Sequence, residues 1–444
     1  NRPITLTGSG AAIDASGTGT MTLSGTISGT YNLVLTGTTL GVASSNINTG
    51  AGTVTKTGNG TWTLTGNSTY SGLTTISSGT LKLGGGETST PLGQTIAGSV
   101  VENGATLDLS GFTIEEPLTL NGDGVSSLGA LINSTSYDSQ CYGSISLGSS
   151  STIGEGNINI GGGISGTGHT LTKLGNGIIT ISSQSTFSGG LIINGGVVQM
   201  AFAGCLADDL PVTLNAGTLS TGGINFDETL GVLTLSESSG ISLGEGSHSL
   251  TFANSSGATW NGTLTITGWT GNGLSGGTGG KIFVGTGGLT TTQLSQIIFE
   301  GFDPGANLLN GEVVPPYQHT AGDYRSVTTG NWNSLDTWVF YTGSGWVTPS
   351  TLPSGASLVQ ILNEHTVTVD AFAHASHVII ESGGILTLTS SGQGTFASVT
   401  NFGTLNLNSD AGGIFSLIVD TYSDYGTENI QLFLTGGGDE SNYP

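Results

Sequence analysis

Basic residues are scarce in this chain of 444 residues, which has six lysines and arginines against 29 aspartates and glutamates and a formal net charge of -23. Proteins that bind nucleic acid neutralise its phosphates with lysine and arginine. The balance therefore excludes nucleic acid as a partner, and the same deficit excludes anionic membrane surfaces. Divalent cations and neutral glycans remain compatible with so acidic a chain.

Long apolar runs and cysteines are scarce as well. No stretch of about 18 apolar residues occurs, so we expect no insertion into a membrane. Only Cys141 and Cys205 are present. They could form one disulfide in a secreted protein or be two small buried residues, and the sequence leaves both readings open.

Glycine, in contrast, is abundant, with 79 residues, and it recurs at fixed places. The common phrase is glycine, any residue, apolar, polar, apolar, as in "GTWTL" at Gly60 and "GTLKL" at Gly79. Alternation with a period of two predicts a strand with one buried face. The preceding glycine supplies a turn conformation that a side chain would hinder.

The spacing of these short strands predicts how they stack. "GTWTL" precedes "GTLKL" by 19 residues, and "HTVTV" (365–369) precedes "ILTLT" (385–389) by 20. Near-identical strands at this spacing favour an all-β parallel β-solenoid, in which each coil lies about 4.8 Å above the previous one. A β-sandwich also uses short alternating strands, but it needs hairpin turns every 8 to 12 residues.

One long phrase occurs twice, at 54–83 and at 171–200, and it places Lys56 and Lys173 at equivalent points. Internal repetition of this kind is typical of a solenoid. We expect the two lysines to point the same way on two different coils. Each would lie on a solvated face or cover apolar neighbours with its stem.

The repeated pattern weakens towards residue 316, and this suggests where the chain divides. We predict a parallel β-helix over 1–316, a linker over 317–323 and a smaller β-solenoid-like module with a Trp-rich entry over 324–444. Within 288–302, Leu294, Ile297 and Ile298 lie at helical spacing and predict one short helix.

Candidates for catalysis are few. Glycoside hydrolysis needs two carboxylates that face one groove, whereas Glu115 and Glu116 are neighbours on a strand and point to opposite faces. Asp208 and Asp209 are the other adjacent pair. Arg325 lies near Asp323 and Asp336 in the sequence, which an ordinary surface ion pair explains. We therefore predict no catalytic residue and no enzyme activity.

Metal ligands are equally few. His365, His374 and His377 fall within 13 residues, but residues three apart on a strand face opposite ways, so a zinc site would need a turn between them. The acidic loops lack the calcium-binding repeat and the EF-hand pattern. We predict no metal site and no cofactor, while structural calcium at no particular residue stays possible.

Aromatic residues cluster at the entry of the last module. They are Tyr324, Trp332, Trp338, Tyr341 and Trp346. If exposed, Trp332, Trp338, Tyr341 and Trp346 would offer flat faces on which sugar rings stack. If buried, they would cap a solenoid end, where apolar side chains are otherwise uncovered.

The repeat resembles the autotransporter-associated β-strand repeat found in passenger regions of large bacterial surface proteins. The residues that carry the resemblance are Thr55-Lys56, Gly58-Asn59-Gly60, Thr69-Tyr70-Ser71-Gly72 and Gly79, with Thr172-Lys173, Gly175-Asn176-Gly177, Thr186-Phe187-Ser188-Gly189 and Gly196 in the second copy. The resemblance implies a right-handed parallel β-helix, export, and a stalk, adhesin or passenger role.

The last module, with "TGNWNSLDTW" and "HTVTV", resembles C-terminal regions of secreted surface proteins from Bacteroidota. Together the resemblances imply an extracellular, cell-surface protein without catalytic activity that acts as an adhesin or stalk. Its partners would be surface glycans or neighbouring cell-surface proteins. Two alternatives remain: a homopolymeric fibre or surface-layer subunit joined through terminal strands, and a polysaccharide-degrading β-helix enzyme.

Overall fold

The computed structural model describes residues 2–85, 90–223, 225–408 and 416–431. The predicted fold class is confirmed: the chain is an all-β parallel β-solenoid of about 19 turns with nearly no helix. Two compact units are distinguished. The first comprises Asn1–Gly268 with Gly279–Lys281, and the second comprises Trp269–Thr278 with Ile282–Pro444.

The first unit contains short strands throughout and one 3₁₀ turn at Val125–Ser127. Its strands up to residue 132 are β1 (Ile4–Thr5), β2 (Ala11–Asp14), β3 (Met21–Leu23), β4 (Ile27–Ser28), β5 (Leu33–Thr36), β6 (Leu40–Ala43), β7 (Ile47–Asn48), β8 (Val54–Lys56), β9 (Thr61–Leu64), β10 (Thr74–Ile76), β11 (Gly79–Leu83), β12 (Ser99–Val101), β13 (Ala105–Asp108), β14 (Thr113–Ile114), β15 (Leu118–Gly122) and β16 (Leu131–Ile132). The later ones are β17 (Ser139–Cys141), β18 (Ile145–Ile153), β19 (Ile158–Ile160), β20 (Ile164–Ser165), β21 (Thr170–Leu174), β22 (Ile178–Ile181), β23 (Gly190–Asn194), β24 (Val197–Met200), β25 (Val212–Leu214), β26 (Thr218–Ser220), β27 (Asp227–Leu230), β28 (Leu233–Leu235), β29 (Ser239–Ser242), β30 (His248–Phe252) and β31 (Leu264–Thr267).

Each coil of the first unit stacks on the previous one in parallel register. Strand β8 pairs with β10, and β10 pairs with β12, so that residue 56 lies beside residue 76 and residue 76 beside residue 101. Alternate side chains face inward, and Leu33, Leu35 and Leu81 have no exposed surface. Leucine, isoleucine and valine thus form a continuous column of apolar contacts, which the period of two predicts.

The lysine of each repeat is buried inside this core, which corrects the expectation of a solvated face. Lys56 and Lys173 are both 0 % exposed. The Lys56 ammonium donates to the carbonyl oxygens of Thr57, Gly58 and Ser78 at 2.8–2.9 Å. A strand end at the corner of a coil leaves carbonyls without a strand partner, and the ammonium satisfies them there.

The second repeat reproduces this arrangement. The Lys173 ammonium donates to the carbonyls of Leu174 and Gly175, both at 2.8 Å. Gly79 and Gly196 occupy the same place above the two ammonium groups with φ of +66° and +61°, and a Cβ at either would meet two carbonyl oxygens and the Nζ atom within 3.0 Å. The repeat therefore requires both its lysine and its later glycine.

The two lysines do not point the same way, contrary to expectation. The register column of Lys56 continues through Ile76, Val101, Leu120 and Leu147. The column of Lys173 instead continues back through Ile153, Leu131, Leu107 and Leu81 to Trp62. Since the strand that contains Trp62 follows the strand that contains Lys56 within one coil, the second repeat lies one face further round the solenoid than the first.

Both cysteines are free and buried, so among the alternatives the structure has two small core residues rather than a disulfide. Burial, with a smaller contribution from a nearby glutamate, raises the pKa of both thiols to about 12. Cys141 has Glu116 nearby and Cys205 has Glu228.

The second unit contains two parallel sheets, a short helix and a 3₁₀ turn at Leu335–Thr337. Strand β34 (Gly280–Phe283) contributes residues to both units. The other elements are β32 (Gly271–Asn272), β33 (Gly276–Gly277), α1 (Thr291–Ser295), β35 (Ile297–Phe299), β36 (Asn307–Leu309), β37 (Glu312–Val314), β38 (Tyr324–Ser326), β39 (Gly330–Asn331), β40 (Trp338–Tyr341), β41 (Trp346–Val347), β42 (Leu358–Ile361), β43 (Thr366–Val369), β44 (Phe372–Ile380), β45 (Ile385–Leu388), β46 (Gln393–Asn401), β47 (Thr404–Asn408), β48 (Ser416–Asp424) and β49 (Thr427–Gln431).

The parallel order β38-β42-β44-β46-β48 forms one sheet of this unit, and β39-β43-β45-β47-β49 forms the other. Strands β40 and β41 extend the first sheet in antiparallel fashion beyond β38. The contact-based division at residues 268–282 differs from the predicted linker at 317–323, because strands β35 to β37 group with the second unit.

Helix α1 is shorter than the predicted segment. It begins after Thr290, whose side chain accepts from the backbone N–H of Gln293 in a capping box, and it ends at Ser295. Leu294 is buried in the helix, whereas Ile297 already begins strand β35. Apolar residues at helical spacing here belong partly to a strand, so the period misjudged where the helix ends.

Candidate functional site

A cleft of about 380 Å³ lies within the second unit. One side is formed by helix α1 and the segment 303–319, and the other by β38, β42 and the turn after β44. Its charged and strongly polar lining residues are Asp303, Asn307, His319, Arg325, Gln360, His365 and Glu381. Its volume falls in the range of small-molecule sites, and we refer to it below as the cleft.

Arg325 is the cation of the cleft. It lies at the middle of β38, where Tyr324 and Ser326 point into the core and Arg325 points outward. Its guanidinium carbon lies 4.1 Å from the centre of the Trp346 ring, and its Nε is buried without a hydrogen-bond partner.

No carboxylate among the described residues lies within ion-pair distance of Arg325, so the expected surface pair with Asp323 or Asp336 is not formed. Asp323 instead accepts from the backbone and side chain of Thr320. Burial lowers the pKa of Arg325, and the charge of Asp303 opposes this. The guanidinium is therefore positive and available to a ligand.

His319 is the neutral neighbour of Arg325. Its side chain is 6 % exposed, its Nε2 lies 3.7 Å from an oxygen of Asp303, and its ring packs edge-on against Trp346 at 4.6 Å. Burial, with a smaller contribution from Arg325, lowers its pKa to about 4 against the opposing charge of Asp303. The imidazole is consequently uncharged at neutral pH.

Three buried side chains form a polar floor. The Glu381 carboxylate accepts from the amides of Gln360 and Asn307, and the Asn307 carbonyl accepts from the backbone N–H of Ser382 at 3.1 Å. Burial raises the pKa of Glu381. Gln360 is 1 % exposed, and its Oε1 has no hydrogen-bond partner. The floor therefore presents one free acceptor.

The three histidines considered as metal ligands do not converge. His365 lines the cleft and shares a hydrogen bond of 2.8 Å between its Nδ1 and Ser326 Oγ. The Nε2 of His377 lies 2.9 Å from Thr400 Oγ1, and His374 is exposed. In the part of the chain that the structure describes, no group of three or more His, Cys, Asp or Glu could hold a metal ion.

The aromatic cluster divides between core and cleft. Trp332 and Trp338 are 1 % exposed, pack edge-on at 5.2 Å and lie in the core of the second unit. The Trp338 indole donates to the Trp332 carbonyl at 2.8 Å. Rings buried this deeply cannot stack on a sugar, so for these two the core reading is the one that the structure has.

Tyr341 and Trp346, in contrast, are half-buried and lie 5.0 Å apart, beside His319. They form an aromatic wall next to the cleft. Glycan stacking at these two residues stays a prediction.

The acidic pairs remain separate from this cleft. Glu116 is buried with one carboxylate oxygen unpartnered, and Glu115 is exposed. The two therefore face opposite ways, as alternation predicts. Asp208 and Asp209 are both exposed in a turn, with φ of +62° at Asp209.

Sequence reasoning missed most of the cleft. Asn307, His319, Gln360 and Glu381 are spread over 75 positions and belong to no motif. Only the fold brings them together. Arg325 was the one signal, as one of two arginines in the chain.

Comparison with known proteins identifies one family. The passenger-associated-transport-repeat matches residues 54–83 and 171–200. These repeats imply an autotransporter passenger β-helix that is secreted to the cell surface or beyond it. The comparison gives no support for the resemblance of 324–444 to proteins of Bacteroidota. No curated protein matches the chain, and no solved structure matches it. None of the helices among the described residues has the length and hydropathy of a membrane span.

Proposed function

We propose that this passenger-type β-helix acts as a non-catalytic adhesin or stalk at the cell surface, and that its second unit contains the adhesive site. The cleft beside the aromatic wall is the observation that supports this proposal. Partly exposed aromatic rings next to a polar floor are the arrangement that binds sugars by stacking and hydrogen bonding. The ligands would be glycans of surfaces or of neighbouring cell-surface proteins.

A binding screen tests the adhesin role. The purified chain is applied to a glycan array, and binding of each positive glycan is repeated in solution by tryptophan fluorescence. We expect Trp346→Ala to weaken binding at least ten-fold, since stacking on its ring is lost. Tyr137→Ala is the matched control, because Tyr137 is an aromatic residue of the first unit with 75 % exposure. Equal loss in both variants, or no glycan bound, would contradict the proposal.

A fibre or surface-layer subunit is the second candidate, and strand β48 favours it. Within the described residues β48 pairs with β46 on one side, and its Ile418 is 56 % exposed. An exposed strand edge of this kind can pair with another chain. Electron microscopy at increasing concentration distinguishes the candidates: fibres that disappear in Ile418→Lys support assembly, and discrete particles at every concentration oppose it.

A further inference from the structure

We propose that the cleft binds an acidic sugar, with the ligand carboxylate on the guanidinium of Arg325 and a ligand hydroxyl on the free Oε1 of Gln360. This inference rests on the proposed glycan-binding function and deepens it by naming the class of sugar.

The state of Arg325 is the first argument. A chain with a formal net charge of -23 has carboxylates in excess, yet none of the described ones pairs with this guanidinium, and its Nε is buried without a partner. Trp346 fixes the plane of the guanidinium at 4.1 Å. A guanidinium held in this way is suited to a planar carboxylate, which it can bind through two parallel hydrogen bonds.

Asp303 is the carboxylate nearest in its effect on Arg325, and it leaves room for a ligand. Its side chain is 55 % exposed and approaches His319 at 3.7 Å. Water screens such an exposed charge. The neutral ring of His319 adds no second cation, so one ligand carboxylate matches the one available guanidinium.

The free acceptor of Gln360 is the second, independent argument. Its amide nitrogen is committed to Glu381, so Oε1 needs a donor. A buried acceptor without a donor is costly, and a sugar hydroxyl supplies that donor, whereas a simple carboxylate does not.

The distance between these two groups fits one sugar ring. Arg325 and Gln360 are direct register partners on the neighbouring parallel strands β38 and β42. Such strands lie about 4.8 Å apart, which is on the order of the separation between a carboxylate and a hydroxyl across one pyranose. The cleft volume of about 380 Å³ accommodates a ring of this size.

The test compares two matched ligands, methyl β-glucuronide and methyl β-glucoside, by titration calorimetry with the full chain. We expect the glucuronide to bind at least ten-fold more tightly. Arg325→Gln should remove this preference while leaving the glucoside affinity within two-fold. Arg2→Gln, which changes the other arginine of the chain, is the matched control and should keep the preference. Thermal unfolding of each variant verifies that it is folded.

Two further arms separate the outcomes. Acetate is the carboxylate without hydroxyls, and if it binds as tightly as the glucuronide, the role of Gln360 is wrong. Equal affinity of wild-type protein for glucuronide and glucoside would overturn the acidic-sugar inference but leave glycan binding intact. If neither monosaccharide nor any array glycan binds, the inference and the proposed function both fail.

Discussion

At the scale of single residues, the buried lysines explain why so acidic a chain places two of its few cations at equivalent points of one phrase. Lys56 closes a corner of the solenoid from inside by donating to carbonyls of its own turn and of the next one. Lysine suits this position because its ammonium has three donors on a long apolar stem.

Replacement of this lysine should destabilise the first unit. Lys56→Met keeps the stem length but leaves buried carbonyls without a donor, so we expect a loss of about 1–3 kcal/mol in the free energy of unfolding. Urea unfolding measures it. Lys82→Met is the control, since Lys82 is half-exposed and its partner Asp108 keeps hydrogen bonds from Ser110 and Ser134. A cost no larger than that of the control would refute the role.

The same lysine should make stability depend on pH. Burial lowers the pKa of Lys56 to about 8 from an ordinary value of 10.5. Between these values the unfolded chain binds more protons, so stability rises with pH. We expect the difference in unfolding free energy between wild type and Lys56→Met to grow by about 1–3 kcal/mol from pH 7 to pH 10. Taking the difference cancels the titration of the cysteines and Tyr70, and a constant difference would count against a buried ammonium.

At the scale of the element, the parallel strands were predictable and their corners were not. Alternation identified strands such as β9 and β11, because one face of each is buried by the coils on either side. The lysines were misjudged because hydropathy assigns a charged residue to the surface. Only the carbonyls at the corner, which belong to residues outside the strand, explain its burial.

Gly79 gives a test of that corner. A methyl group at this position would meet the Lys56 ammonium at 2.7 Å and two carbonyls at 2.4 and 2.5 Å, in a backbone with φ of +66°. We expect Gly79→Ala to lower unfolding free energy by more than about 1 kcal/mol. Gly17→Ala is the control, because nothing lies within 4 Å of a Cβ there. Thermal unfolding compares the two, and equal melting temperatures would argue against a tight corner.

The candidate site marks the limit of prediction at this scale. Arg325 and the aromatic cluster were visible in the sequence, but their partners were not. Trp332 and Trp346 have the same composition and similar neighbours, yet one lies in the core and the other beside the cleft. The strand register and the segment 303–319 decide this, and both depend on residues far apart in the chain.

At the scale of the whole molecule, charge is unusual in both amount and balance. With 8 % charged residues and a net charge of -23, attraction between opposite charges contributes little, and repulsion among carboxylates acts against the folded state. Stability therefore depends on burial of apolar columns and on hydrogen bonds between coils rather than on surface ion pairs.

Salt should accordingly stabilise the protein. Raising sodium chloride from about 10 to about 150 mM shortens the screening length from about 30 to about 8 Å, which weakens repulsion among carboxylates. We expect the melting temperature to rise by a few degrees. Sucrose at equal osmolality is the comparison, since it leaves charge unscreened. A melting temperature that falls with salt would mean that ion pairs, rather than repulsion, dominate.

The offset of the second repeat by one face has a consequence for recognition. Five coils and one face separate Lys56 from Lys173, so the outward threonines of the two copies look in different directions. A flat partner that recognised this phrase could therefore grip only one copy, and a second partner molecule would have to approach from another side. The chain displays one local signature as two separate handles.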